Sequence, residues 1–497
     1  MKSLINKEKG QLSLQMLIYG AIAIILLSGF LIWADVNVKS VLRYSDQALA
    51  FGIAEAGIEY YRWHLAHAPT DYQDGTTSTG PYTHDYYDKN GNLLGQFILD
   101  ITPPPIGSTI VTIKSTGHVV SDSSIEKNIR VRMGIPSFAK YAALVNENVR
   151  FGEGTEVFGE IHSNNGVRFD GIAHNLVTSA LNNYDDPDHA GANEYAFHTH
   201  RNPPPGSGTN DSFRPLEAPP NPLQNRSDVF LVGRQISVPA VNFTGITQNL
   251  SDIKAAASSS GFYWPSSTYY GTPSYGYDVF LKTNDTFDLY RVTALKTPPS
   301  SNCTNSQNQD GWGTWSIQSE ILMGNYSLPA NGLMFLEDNI WVRGQIDTAR
   351  LTIASARFPD SPSTRSSITV NSNLLYTNYD GQDVISLIAQ KNINIGLYSD
   401  DTLRVDSALM AQNGRVGRYY YAPKYYTWNR CYPYDKRSAI TSYGMIGSYQ
   451  RYGFAYTDGT GYQTRNLIYD VNLLYGPPPS FPLTTDTYQT ISWEEVK

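Results

Sequence analysis

Hydrophobic and polar positions change their spacing along this chain. Residues 12–33 read LSLQMLIYGAIAIILLSGFLIW, 22 positions without a formal charge. At about 1.5 Å per residue this run spans roughly 33 Å as a helix, close to the ~30 Å of bilayer hydrocarbon. Lys2, Lys7 and Lys9 precede it against Glu8 alone, and Asp35 follows. The positive-inside rule then puts the short N-terminus in the cytoplasm and the roughly 460 residues beyond the helix outside. A cleaved secretory signal fits poorly, because the apolar run continues through Ile32 and Trp33 with no A-x-A site. Past Asp35 the pattern turns amphipathic. Val38, Leu42, Ser45, Leu49 and Gly52, then Ala56, Tyr60 and His64, recur at helical spacing, and no proline interrupts before Pro69. One helix is predicted over about 14–67, roughly 80 Å long.

The period then falls from 3.6 to 2. After a run of turn formers (Pro69, Asp71, Gly75, Gly80, Pro81, Asn90-Gly91), β-rich segments occupy 95–102, 109–120 and 125–135. In the last, Ile125, Lys127, Ile129, Val131 and Met133 alternate with polar or charged neighbours. Residues 68–136 are predicted to form a small antiparallel β module that covers the helix's apolar stripe, with Pro136 closing it. From about 141 the strands shorten. Val149-Arg150-Phe151 recurs as Val167-Arg168-Phe169 after 18 residues. Short runs return at 332–335, 340–346, 351–354, 368–376, 385–389, 392–397 and 403–411, with Asn and Gly at their corners. Segments 141–181 and 331–417 are therefore read as two parts of a mainly β domain. A parallel β-solenoid is favoured because few two-residue hairpin turns join the runs, and an antiparallel sandwich remains the alternative.

Residues 182–330 read as a loop-rich α+β insertion. Its first part, 182–227, is rich in Asp, Asn, Pro and Gly. Thr244 is a candidate N-cap for a helix with Ile246, Leu250, Ile253 and Ala257 as its stripe and Gly261 as its stop. A hairpin is predicted around Asn284-Asp285. The last stretch, 418–497, is rich in tyrosine and proline, and reads either as a tail returning across the core or as a loose terminus.

A basic leader ending in Gly10, an uncharged helix starting at once, and an amphipathic continuation resemble a type IV pilin-like precursor. The sequence Ala54-Glu55-Ala56-Gly57-Ile58-Glu59 is similar to the AEAGIE signature of PilX-type minor pilins. The resemblance covers about residues 7–136. It implies that residues 1–10 are a leader peptide, cut between Gly10 and Gln11 by a prepilin peptidase, leaving 11–67 as the mature helix with its transmembrane span at 12–33. It also implies membrane lipid and other pilin-like subunits as partners, with Gln15, Gly20, Ala21 and Ala23 in filament packing. The family usually carries Glu at the fifth mature position. Here that position is Gln15, whose amide cannot neutralise a neighbouring subunit's amino terminus, so a major-subunit role is disfavoured.

The net charge of −8 and the lack of a basic block argue against a nucleic-acid partner. Cys303 and Cys431 are the only cysteines, a candidate single disulfide in an exported chain. Asp185-Asp186-Pro187-Asp188-His189 with His198 and His200 is the strongest metal candidate. Its spacing matches no tight ligand pattern, so it is read as a solvated loop and no metal or cofactor is expected. His162-Ser163-Asn164 is read as strand-corner residues rather than a nucleophile and base. Asp347, Asp380, Asp383, Asp400, Asp401 and Asp406 offer carboxylates whose separation the sequence does not set. No P-loop, dinucleotide fingerprint, HExxH or paired CxxC occurs. The favoured function is a non-enzymatic, membrane-anchored surface protein of a type IV pilus or pseudopilus, with a large outer domain for adhesion or display and surface or glycan ligands as candidate partners. A membrane-tethered carbohydrate-active enzyme and a static envelope protein are the alternatives.

Overall fold

The computed structural model describes residues 8–105, 108–122, 124–243 and 245–496. Lys2, Lys7 and Thr244, singled out above, lie outside the described residues, as does most of the leader segment. The chain forms two compact units. The first draws on Met1–Pro103, Val111–Gly134 and Thr487–Lys497, and the second on Pro104–Ile110 and Ile135–Asp486.

In the first unit α1 (Glu8–His67) is a single helix of 60 residues. Its apolar first half is bare, with Leu14, Leu17, Ile25 and Phe30 all exposed. It is long and apolar enough to cross a membrane, with a mean hydropathy of 2.3 in its most apolar window. The second half lies on an antiparallel sheet of β1 (Tyr82–Tyr87), β2 (Leu93–Thr102), β3 (Val111–Val119) and β4 (Glu126–Gly134) in that order. A fifth strand, Gln489–Val496, pairs antiparallel with β4. The predicted small sheet is thus present, and it gains two strands. β1 arises within the turn-rich stretch, and the C-terminal strand comes from the region read as a tail.

The helix docks one residue out of phase with the predicted stripe. Ala50, Ile53, Ala54, Ile58, Tyr61 and Leu65 are buried against Phe97, Leu99, Ile113, Ile129 and Val131. Leu49, Gly52, Ala56, Tyr60 and His64 flank that seam, only partly covered. Close approach sets the phase. A Cβ on Gly117 of β3 would stand 2.1 Å from the Ala50 carbonyl oxygen and 2.6 Å from the Ala54 nitrogen. The small residues Ala50 and Ala54 therefore lie opposite Gly117. Burying each aliphatic side chain there contributes about 1.5–3 kcal/mol.

The second unit is mainly β, and its short strands stack in parallel. One ladder runs through Phe262–Trp264, Leu333–Leu336, Arg350–Ser355, Val384–Ala389, Thr402–Ala411, Lys436–Ser448, Tyr141–Val145, Glu160–Ser163, Val177–Ser179 and Arg234–Gln235. A second runs through Gly276–Leu281, Ile340–Ile346, Ile368–Thr369, Ile393–Ile395 and Val416–Arg418. Antiparallel pairing, on which the sandwich alternative rested, joins Gly276–Leu281, Thr286–Leu295 and Ile317–Ser327 and, over two residues, Asn183–Tyr184 with Glu194–Tyr195. Register aligns Met334, Ile353, Leu387, Leu409, Ile446, Ala143, Ile161 and Val177 in one buried row. Side chains of the opposite parity, such as Phe335, Ala354 and Ile388, pack under α2 (Gly245–Ser260) through Leu250, Ile253 and Ala257. With both faces covered, Val384–Ala389 is buried throughout and shows no alternation.

Stacking order departs from chain order. Tyr141–Val145 follows Lys436–Ser448, so the first strands of this unit complete a stack begun by later ones. A disulfide joins Cys303 to Cys431 within a cluster that includes Leu397, Tyr419 and Tyr421. The region 418–497 is divided, since 418–486 belongs to the second unit and 487–497 to the first.

Candidate metal centre

The loop-like stretch after the Val167-Arg168-Phe169 repeat carries the densest chemistry in the chain. Phe197–His198 adds a parallel strand beside Val167–Phe169, which itself pairs with Val149–Phe151. Side chains two apart on an extended segment share a face, so His198 and His200 point the same way. A short antiparallel pair, Asn183–Tyr184 with Glu194–Tyr195, returns the chain so that Glu194, Asp186 and His189 meet the two histidines. One ligand atom from each of Asp186, His189, Glu194, His198 and His200 lies within 4.8 Å of all the others.

The stretch is not a solvated loop. Glu194, His198 and His200 have no exposed surface and Asp186 is buried. The sequence reading failed because hydrophilic composition was taken for exposure, whereas convergence of the polar side chains on one another lets them leave water. Asp185 stays exposed. Asp188 points elsewhere, to Arg451 at 3.0 Å and Arg150 at 3.6 Å. Glu194 was missed altogether, although its place on the strand before the His-x-His pair is a signal in retrospect.

Backbone groups hold the outward atoms of four of the five residues. The Nδ1–H of His198 donates to the Tyr195 carbonyl at 3.0 Å, and that of His200 to the Asn210 carbonyl at 2.7 Å. Glu194 Oε1 accepts from the Arg214 amide at 2.6 Å, and Asp186 Oδ1 accepts from the Asp188 amide at 3.0 Å. The His200 amide is itself held by Asp170 Oδ1 at 2.8 Å. This leaves the three Nε2 atoms, Glu194 Oε2 and Asp186 Oδ2 facing one another. Glu194 Oε2 stands 3.0, 2.9 and 2.9 Å from the Nε2 atoms of His189, His198 and His200. Asp186 Oδ2 stands 3.5, 3.4 and 3.9 Å from the same atoms. Asp186 Oδ2 and His198 Nε2 are buried without a hydrogen-bond partner.

A carbonyl only accepts, so His198 and His200 must carry their proton on Nδ1, and a neutral ring then aims an Nε2 lone pair at a carboxylate. Protons can relieve this only by making neighbouring imidazolium ions. Burial alone would lower the His198 pKa, but Asp186 and Glu194 hold it up at about 9. Burial would likewise raise the Asp186 carboxyl, yet the facing His198 and the Asp188 amide keep it down at about 2.

No family model matches the chain, and no curated protein shows a sequence match to it. Among solved structures, the crystal structure of the competence-associated pilin ComZ from Thermus thermophilus is similar over 91% of this chain and 97% of its own, at 12% identity and a TM-score of 0.31. A score that low carries no argument about fold or function.

The other residues singled out in the sequence are dispersed. Gln15, Gly20, Ala21 and Ala23 are exposed on the bare half of α1, and Gly10 and Gln11 lie within the same helix. His162 bonds Thr178 and Asn164, while the Ser163 hydroxyl donates to the Glu147 carbonyl, so the two form no nucleophile–base pair. Asp383 accepts from the amides of Ala349, Thr377 and Asn378. Asp406 accepts from the Tyr376 amide, the Tyr379 hydroxyl and Arg404. Asp401 accepts from the Ser438 amide and hydroxyl. These carboxylates tie strand corners together. A cleft of about 600 Å³ is lined by Arg150, Asp188, Arg415, Arg451, Tyr456 and Arg465, among others. Tyr425, Tyr426, Trp428 and Tyr432 form an exposed aromatic group next to Cys431.

Proposed function

We propose that this chain is a membrane-anchored, type IV pilin-like surface protein, a minor subunit of a pilus or pseudopilus whose large outer domain serves adhesion or display. The observation that carries the reading is the division of α1. Its first half is apolar and bare from residue 12 to 33, while its second half is the spine of an antiparallel sheet. A bare apolar helix of that length is satisfied only by lipid or by the helices of other subunits. The small residues Gly20, Ala21 and Ala23 suit close helix packing, and Gln15 suits low-copy incorporation. Lys7 and Lys9 favour a cytoplasmic N-terminus, which would present the Gly10–Gln11 bond to a prepilin peptidase.

In this reading the parallel ladders are the coils of a β-solenoid, a rigid platform for the outer surface. The exposed group Tyr425, Tyr426, Trp428 and Tyr432 is the adhesive candidate, since aromatic rings stack on the apolar faces of sugars and on partner surfaces. Engagement of the Asp383, Asp401 and Asp406 carboxylates in strand corners supports a non-enzymatic role. Sequencing the N-terminus of the membrane-extracted protein tests the proposal. A start at Gln11 supports it, and an intact Met1 or a start beyond Trp33 overturns it.

A further inference from the structure

We propose that Asp186, His189, Glu194, His198 and His200 bind one divalent transition-metal ion, which clasps the segment 182–217 to the parallel strands of the second unit. The inference is independent of the pilin-like reading. Three features carry it: convergence, unpartnered atoms, and outer support.

Ligand atoms held about 2.0–2.2 Å from a common ion stand about 3 Å apart when at right angles and farther when splayed. Glu194 Oε2 stands 2.9–3.0 Å from all three imidazole nitrogens, as a ligand at right angles to them would. Asp186 Oδ2, at 3.4–3.9 Å from the same nitrogens, approaches the same point from another side. A cation there would receive the buried lone pairs of Asp186 Oδ2 and His198 Nε2, which otherwise have no partner. The Nδ1–H bonds from His198 and His200 to backbone carbonyls fix the tautomer that leaves Nε2 free, the support that metal-binding histidines ordinarily receive.

Ligand chemistry narrows the ion. Three imidazoles and two carboxylates disfavour Ca²⁺ and Mg²⁺, which prefer all-oxygen shells, and the absence of thiolate from the set disfavours Cu(I). Mn²⁺, Fe²⁺ and Zn²⁺ fit the mixed set. With five protein ligands and a buried position, the centre is structural. Its mechanical consequence follows from topology. His198 lies on the strand beside Val167–Phe169 and His200 two residues beyond it, whereas Asp186 and His189 lie in the preceding loop, so one ion ties the loop to the sheet edge.

The full chain is purified in detergent without a histidine tag, and its metal content is measured directly and after chelation and reloading with Mn²⁺, Fe²⁺, Zn²⁺ or Co²⁺. The expected result is one ion per chain, visible d–d absorption on loading Co²⁺, and faster proteolysis within 182–217 after chelation. His200→Ala and Glu194→Ala should each lose the ion. If those variants fail to fold, the wild-type stoichiometry and the Co²⁺ spectrum still decide. Folded wild-type protein that takes up no stoichiometric metal overturns the proposal. So does a stoichiometric ion that persists in a folded His198→Ala/His200→Ala variant.

Discussion

Substituting Gly117 by alanine tests what sets the phase of α1 on its sheet. The added Cβ would meet the Ala50 carbonyl oxygen at 2.1 Å and the Ala54 nitrogen at 2.6 Å. Both belong to helix backbone, which has no rotamer by which to step aside. Restoring an ordinary contact moves the helix by about 1 Å, and a gap of that size forfeits roughly a quarter to a half of each dispersion contact along the seam. Overpacking of this kind costs about 1–3 kcal/mol, and a rigid neighbour places the cost near the top. Alanine's lower backbone entropy in the unfolded chain offsets about 0.5–1 kcal/mol. The net expectation is a loss of about 2 kcal/mol, which is roughly thirtyfold faster amide exchange in β3 and in residues 50–65 of α1. Gly52→Ala on the same helix is the control. Nothing lies within 4 Å of its added Cβ, so it should stabilise by up to about 1 kcal/mol. Hydrogen exchange by mass spectrometry on the detergent-solubilised chain reads both. Protection in Gly117→Ala equal to wild type would refute the close-approach argument.

Other consequences are as direct. Removing Cys303 and Cys431 together, as serines, should cost about 2–4 kcal/mol in denaturant unfolding, because the bridge closes a long loop. Deleting residues 487–497 removes the strand on β4, the Trp493 ring beside Phe51 and the Arg130–Glu494 pair, so β4 should exchange faster while the ladders of the second unit keep their protection. His162 is buried beside Thr178, Asn164 and Tyr141, with Lys140 nearby, and burial lowers its pKa below the ordinary 6.5. The unfolded chain then binds the extra proton, so stability is full above about 6.5 and falls as pH drops below it. His162→Gln should flatten that part of the pH–stability curve, and an unchanged slope would remove His162 as its cause.

What the sequence made legible follows from where periodicity decides structure. The uncharged run at 12–33 and the alternation from Ile125 to Met133 have one reading each. The helix phase did not, because hydrophobic residues recur on both registers, Leu49 and Tyr60 on one and Ile53, Ile58 and Leu65 on the other, and the close approach of Gly117 to Ala50 and Ala54 fits the second. The recurrence of Val149-Arg150-Phe151 at 167–169 pointed to stacked strands with a sandwich as the alternative, and the two segments pair in parallel. It could not show that Tyr141–Val145 stacks on Lys436–Ser448, since that order rests on contacts some 300 residues apart in the chain. The C-terminal strand, ISWEEV among its residues, shows weak alternation because its side chains remain largely exposed or half-buried. The five-residue cluster was half legible. His198 and His200 announce a shared face, but burial of Asp186 and Glu194 depends on a fold-back that composition does not encode.

Membrane anchorage through the bare helix, with the remainder of the chain outside, is the claim on which the functional reading stands. Shearing intact cells and probing the released filaments with an antibody to the outer domain tests it most directly. The account predicts the chain in the sheared fraction at low abundance, beginning at Gln11 and with its outer domain open to added protease. A chain confined to the cell interior, or retained in the membrane with Met1 in place and the outer domain protected from protease, would contradict it.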